Sequence, residues 1–150
     1  MTNPNLSEQL ESAVRQHFPD AVESAADCKG RLLLTIRADQ LVPVCRFVKE
    51  SLGFDMPDCV TGIDTGQHLE VVYTLWSTQN QREINLKVIV PYDNPVLDSA
   101  TGVWRGVDWH EREIFDLFGV QFRGHPDLRR ILLPEEFEGF PLRKSYTETD

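Results

Sequence analysis

The residues of this 150-residue chain with the types and spacing for chemistry crowd into its last third. Glu111 and Glu113 come nearest to a catalytic carboxylate pair. Side chains two apart on a helix project in different directions, so they make a poor acid–base couple. Charge at a helix start, with salt bridges, is the better reading. His110-Glu111 opens like a zinc-hydrolase motif, but the histidine needed four residues after His110 is replaced by Ile114. His125 sits in Gly124-His125-Pro126-Asp127, a turn sequence. A ring bonded to backbone is the default there, and a proton or redox role the lesser alternative.

Cys28, Cys45 and Cys59 are odd in number and widely spaced, with no C-x-x-C among them. They read as reduced, buried thiols, and they give this chain no iron–sulfur or zinc site of its own. No G-x-G-x-x-G follows a strand, and neither a phosphate-binding G-x-x-x-x-G-K-[ST] nor a serine nucleophile elbow occurs. The expectation is therefore no catalytic, cofactor-binding or metal residue. The remote alternative is a stand-alone small-molecule enzyme using His110, Glu111 or His125.

Arg129 and Arg130 stand side by side between apolar residues, and burying an unpaired guanidinium is costly. Glu111, Glu113, Asp116 and Glu135-Glu136 could neutralise them within the chain. A neighbouring protein could do so equally well, with Arg129, Arg130, Arg143 or Lys144 bridging to it and Phe137, Phe140 and Leu142 as apolar anchors.

These residues need positioning elements. Asp108 can cap a helix whose stripe is Ile114, Leu117 and Phe118, with Glu111 reaching back as in a capping box and Gly119 ending it. Beyond it, Gly124, Pro126, Pro134, Gly139 and Pro141 break any long helix or central strand, yet Phe122, Leu128, Ile131, Leu132, Leu133, Phe137, Phe140 and Leu142 recur. The result is an irregular, adhesive arm that needs a surface, its own or another protein's.

Upstream, Leu10, Ala13, Val14 and Phe18 mark a first helix from about residue 7 to 18. Val22 to Cys28, a turn at Lys29-Gly30 and Arg31 to Ile36 suggest a hairpin. Asp39 can cap a second helix carrying Leu41, Val44, Cys45, Val48 and Leu52, closed by Gly53. Strands follow around Met56–Asp64, Leu69–Trp76 and Ile84–Val90, the last with Ile84, Leu86, Val88 and Val90 on one face. Residues 96–104 read as a short helix or turn. The fold class is α+β: an α-β-β-α-β-β-β core with a mixed or antiparallel sheet packed by helices, then a short C-terminal helix and an irregular arm. The chain reads as a single domain over residues 1–150, with a core of about 6–107 and a signature helix and partner-binding arm of about 108–150.

A net charge of −9 opposes nucleic-acid binding and any direct attraction to an anionic membrane. No apolar run nears the roughly 20 residues that span a bilayer. The start M-T-N-P-N-L-S-E lacks a signal or transit pattern. Membrane contact is expected only through partners.

Glu111-Arg112-Glu113, two residues, Asp116, two apolar residues, six more, His125, three more, Arg129, one more, then Ile131 resembles the signature of the 30 kDa subunit family of the proton-pumping NADH:quinone oxidoreductases (respiratory complex I). The continuation G-H-P-D-L-R-R-I-L-L-P, an acidic pair, an aromatic and E-G-F-P-L-R-K also resembles it. Ser145 departs, standing where that family commonly carries an acidic residue.

The resemblance implies a non-catalytic structural subunit of the peripheral arm. It would dock on the quinone-site subunit, near cluster-bearing subunits, on the cytoplasmic side of a bacterial inner membrane. FMN, iron–sulfur clusters and quinone would belong to those partners, and none to this chain. The signature and interface residues it marks are Glu111, Arg112, Glu113, Asp116, His125, Arg129, Arg130, Phe137, Phe140, Leu142, Arg143 and Lys144. The alternative within the same class is the equivalent subunit of a membrane-bound hydrogenase, a formate-oxidising complex or a ferredoxin-fed, chloroplast-type complex.

Overall fold

A computed structural model describes residues 6–28 and 31–147. The elements are α1 (Leu6–His17), β1 (Val22–Cys28), β2 (Arg31–Ile36), α2 (Leu41–Leu52), β3 (Met56–Asp64), β4 (His68–Ser77), β5 (Arg82–Pro91), β6 (Val96–Asp98), α3 (Asp108–Phe118) and β7 (Gln121–Arg123). This is the α+β order expected from the alternation of apolar residues. The expectations placed on Lys29-Gly30 and on the Cys28 thiol fall outside the described residues.

Five strands form a mixed sheet in the order β1-β2-β5-β4-β3, parallel only between β2 and β5. That junction cannot be a hairpin, so α2, β3 and β4 lie in sequence between its two strands. Strict period-two alternation puts Leu69, Val71, Tyr73 and Leu75 of β4 on the same face as Ile84, Leu86, Val88 and Val90 of β5, all buried. Leu41, Val44, Cys45 and Val48 of α2 cover that face, and Val14 of α1 joins them. The opposite face carries Glu70, Val72, Thr74, Asn85 and Lys87 and stays half-exposed. Such one-sided burial is usual for a largely antiparallel sheet.

Helix α3 closes the core over β3 because residue 62 has no side chain. A Cβ on Gly62 would lie 2.7 Å from the Phe118 ring and 3.1 Å from Ile114. Gly53 and Gly119 end α2 and α3 in left-handed conformation, with φ of 80° and 82°. Glycine alone takes that conformation without steric cost.

Several local expectations are corrected. Asp39 does not cap α2, because residues 38–40 form a 3-10 turn leading into it and the Asp39 carboxylate pairs with Arg37 at 3.0 Å. Of the short helix or turn expected over residues 96–104, the turn is present at residues 101–103, with the Val103 and Trp104 N–H groups on the Ala100 carbonyl at 3.0 Å, and there is no helix. Before that turn, residues 96–98 form β6, which pairs in parallel with β7 as a separate two-stranded sheet. Alternation over three residues is too short to show in a sequence. Cys45 is buried as expected, but Cys59 is half-exposed on the open face of the sheet, paired with Thr74 across β4.

Candidate functional site

The signature residues occupy α3 and the irregular segment 124–147, which bends back along it as a strap. The capping box is not formed. Another 3-10 turn, residues 105–107, feeds α3, and no side chain caps its N-terminus. Glu111 turns into the core instead, where three donors await it. Its carboxylate accepts hydrogen bonds from the Tyr73 hydroxyl at 2.7 Å, the Ser99 hydroxyl at 2.5 Å and the Ala100 N–H at 2.9 Å.

Burial pushes the Glu111 carboxyl above its ordinary value, although those three donors and the nearby His125 oppose the shift. Burial, and then the Glu111 carboxylate, push the Tyr73 hydroxyl and the Cys45 thiol up in turn. The group draws on separate parts of the chain: β4, the segment that leads from β6 into the turn, and α3 itself. It therefore ties three pieces of the fold together. Among the described residues Glu111 makes no ion pair of the kind expected, and Glu113 faces solvent.

Asp116 is fully buried and organises the strap. Its Oδ1 takes the Arg130 Nη1 at 2.8 Å, and its Oδ2 accepts the successive N–H groups of Ile131, Leu132 and Leu133 at 3.2, 2.8 and 3.0 Å. Burial raises the Asp116 carboxyl, but Arg130 and the three N–H groups outweigh it, leaving the group below the ordinary carboxylate range. The backbone here curls around one carboxylate, which explains how a segment without regular structure satisfies its donors.

Arg130 also donates from Nη1 to the Asp116 carbonyl and from Nη2 to the Gly139 carbonyl, both at 2.8 Å. Its guanidinium lies over Phe140 at 5.1 Å and Phe137 at 5.5 Å. Both rings turn inward. Phe140 meets Phe115 edge-on, and Phe137 stacks near Tyr146. Gly119 admits the Phe140 ring, which a Cβ there would approach to 2.7 Å.

Arg143 fastens the far end of the strap. It donates from Nε to the Phe118 carbonyl at 2.6 Å and from Nη1 to the Tyr92 carbonyl at 3.2 Å, with its guanidinium 5.0 Å over the Tyr92 ring. A cation on the last carbonyls of α3 also suits the helix dipole. The Lys144 N–H donates to Asp64 Oδ2 at 2.7 Å, while the Tyr92 hydroxyl and the Gly66 N–H complete the Asp64 shell. Burial raises Asp64, but the Lys144 and Gly66 N–H groups, then Tyr92 and the Lys144 charge, bring it below its ordinary value. Leu142 donates its N–H to the Leu117 carbonyl at 3.1 Å and leaves its side chain exposed.

The His125 ring is fully buried in its turn. Nδ1 accepts the Asp127 N–H at 3.0 Å, which leaves Nε2 as the ring donor to the Asp108 carbonyl at 3.1 Å. Asp108 Oδ1 lies equally close, 3.1 Å away, yet outside hydrogen-bond geometry. Arg112, itself buried, donates to the Arg129 carbonyl at 3.3 Å and lies 4.8 Å over the exposed Trp109 ring. Arg129 points away from the helix and pairs with Asp127 at 2.8 Å, both in solvent.

The structure thus brings Arg112, Asp116, His125, Arg130, Phe137, Phe140 and Arg143 together as one brace, with Glu111 beneath it. Glu113, Arg129, Leu142 and Lys144 lie at its outer surface. Asp64, Tyr73, Tyr92 and Ser99 complete the site and carry no short-range signal. Asp64 meets a partner eighty residues away. Among the described residues no group of His, Cys, Asp or Glu side chains could hold a metal ion. None of their helices is long and apolar enough to cross a membrane.

Comparisons with known proteins agree on one relationship. Residues 34–150 match the family described as respiratory-chain NADH dehydrogenase, 30 Kd subunit. The C-type subunit of the NADH-quinone oxidoreductase of Roseiflexus sp. (strain RS-1) is 42% identical over 149 residues, 96% of this chain and 83% of that protein. The subunit of the same name from Geobacter sulfurreducens is 38% identical over 137 residues, 89% of this chain and 85% of that one. Among solved structures, the trypsin-resistant fragment of Nqo5 superposes with a TM-score of 0.70 and 27% identity, covering 83% of this chain and all of the fragment. One polypeptide of an archaeal membrane-bound sulfane sulfur reductase shares the fold with a TM-score of 0.81 at 22% identity, covering 95% of this chain and 86% of that one.

Proposed function

Because this chain belongs to the family of the 30 Kd subunit of respiratory-chain NADH dehydrogenase, we propose that it is a non-catalytic structural subunit in the peripheral arm of a proton-translocating NADH:quinone oxidoreductase. It docks through α3 and the strap on the subunit that houses the quinone site. Its work is to hold the geometry of neighbours that carry FMN, iron–sulfur clusters and quinone. It sits on the cytoplasmic side of a bacterial inner membrane and is held there by those neighbours.

The observation that carries this reading is the use made of the polar signature residues. Asp116, Arg130, Arg143 and His125 are engaged in bracing an irregular segment, and Glu111 is sealed beneath them. A substrate-handling site needs convergent groups left free to reach a reacting atom. A scaffold needs a rigid surface whose own backbone donors are satisfied, which this brace supplies.

The test is to capture the tagged chain from native membranes under gentle solubilisation. Co-purification with the quinone-site subunit and with NADH:quinone activity is expected. Recovery with hydrogenase or formate-oxidising subunits would move the chain to the alternative assembly. Recovery alone, or turnover by the purified chain alone, would contradict the proposal.

A further inference from the structure

Trp109 is the most exposed large apolar side chain of the described residues, with 64% of its surface in solvent. It is not loose. The Arg112 guanidinium covers one ring face, and Arg112 is itself buried and tied by Nε to the Arg129 carbonyl. An exposed indole already held in place loses little freedom on binding, which is the property of interface anchors. Leu132 repeats the pattern on the strap. Its backbone is fixed by Asp116, while 61% of its surface is exposed.

The charge around these anchors follows from the brace. Arg130 and Arg143 are directed at carbonyls and Asp116, and Arg129 is matched by Asp127. Glu113, one turn after Trp109 on α3, and Glu135, Glu136 and Glu138 on the strap are all exposed. None of the four enters an ion pair within the described residues. Arg130 and Arg143 face inward, exposed Arg129 is matched by Asp127 and exposed Lys144 lies beside Asp64, so the four unmatched carboxylates leave the outer surface apolar and negative. Anionic lipid and nucleic acid are repelled by such a surface.

We propose that the outer face of α3 and the strap, anchored by Trp109 and Leu132 and bordered by Glu113, Glu135, Glu136 and Glu138, docks on a protein surface that offers an apolar depression edged with arginine or lysine. The inference rests on the scaffold reading above and specifies the chemistry of the partner. It also assigns the interface charge to the carboxylates, with Arg112, Arg130 and Arg143 serving as internal struts.

The experiment is quantitative recovery of the assembled complex from membranes of cells carrying the wild-type chain, Trp109→Ala, or the combined reversal Glu135→Lys, Glu136→Lys and Glu138→Lys. A control reverses the same number of charges elsewhere, at Glu8, Asp20 and Glu50. Thermal melting of each isolated chain checks that the fold is kept. Trp109→Ala and the strap reversal should each lower recovery by about tenfold or more, with unchanged melting and with the control at wild-type level. Raising the salt concentration should weaken wild-type association. Wild-type recovery of both variants from a complex that itself assembles normally would overturn the inference and leave the scaffold reading standing. Tighter association after reversal would also overturn it, because the partner would then be acidic. A wild-type chain that never enters the complex would defeat both.

Discussion

Arg130 and Asp116, fourteen residues apart, form the central tie between strap and helix, with Nη1 2.8 Å from Oδ1 and the carboxylate fully buried. The pair is internal to the chain. The same carboxylate binds three backbone N–H groups, so its loss and the loss of the arginine are not equivalent. Asp116→Ala removes the hub, leaving three backbone N–H groups without their acceptor and the largely buried Arg130 guanidinium without its counter-charge, and should cost about 3 kcal/mol. Arg130→Ala leaves three donors on the carboxylate and should cost less, about 2 kcal/mol. Urea denaturation measures both values. Amide exchange at residues 131–133 should quicken in Asp116→Ala well before the strands open.

Arg129 is the contrasting neighbour. Its pair with Asp127 lies in solvent, where such contacts contribute little. Arg129→Ala should shift the stability of the isolated chain by no more than about 0.5 kcal/mol. A loss comparable to that of Arg130→Ala would show that the adjacent arginines share one structural task.

Asp116 and Asp64 titrate below their ordinary range in the folded chain. Their contribution is present above the aspartate range of about pH 4 and is lost as pH falls through the depressed values. Glu111, shifted upward, acts in the opposite sense. Its protonated form favours the fold, so its contribution is complete below the ordinary glutamate range and declines as pH rises through the raised value. The strap should therefore loosen in acid while the Tyr73–Glu111 contact holds. Denaturation across pH should show a shallower acid limb for Asp116→Asn. Glu111→Gln should flatten the decline on the higher-pH side.

Gly62 tests the seating of α3. The methyl group of Gly62→Ala would enter the Phe118 ring, and overpacking of this kind should cost about 2 kcal/mol. A neutral result in thermal denaturation would mean that α3 lifts from β3 without penalty.

The core strands and helices were legible because their apolar residues repeat with periods near 2 and 3.6, as in Ile84–Val90 and Leu41–Val48. Gly53 and Gly119 were legible as stops for the same local reason. Asp39 and Asp108 misled because a good cap sequence cannot show that a 3-10 turn precedes the helix. The strap's need for a surface could be read from its apolar residues. The ends of its ties could not, since Asp64–Lys144 and Tyr73–Glu111 join residues eighty and 38 apart. The exposed Trp109 was the signal left unused: an indole one turn before Glu113, off the stripe formed by Ile114 and Phe118.

The account depends most on α3 and the strap being the face by which this chain joins a redox assembly. Hydroxyl-radical footprinting of the isolated chain and of the membrane-derived complex measures that face directly. Trp109 and Leu132 should be oxidised readily in the isolated chain and strongly protected in the complex, with Met56 on β3 as an exposed reference. Equal oxidation of Trp109 and Leu132 in both states would contradict it.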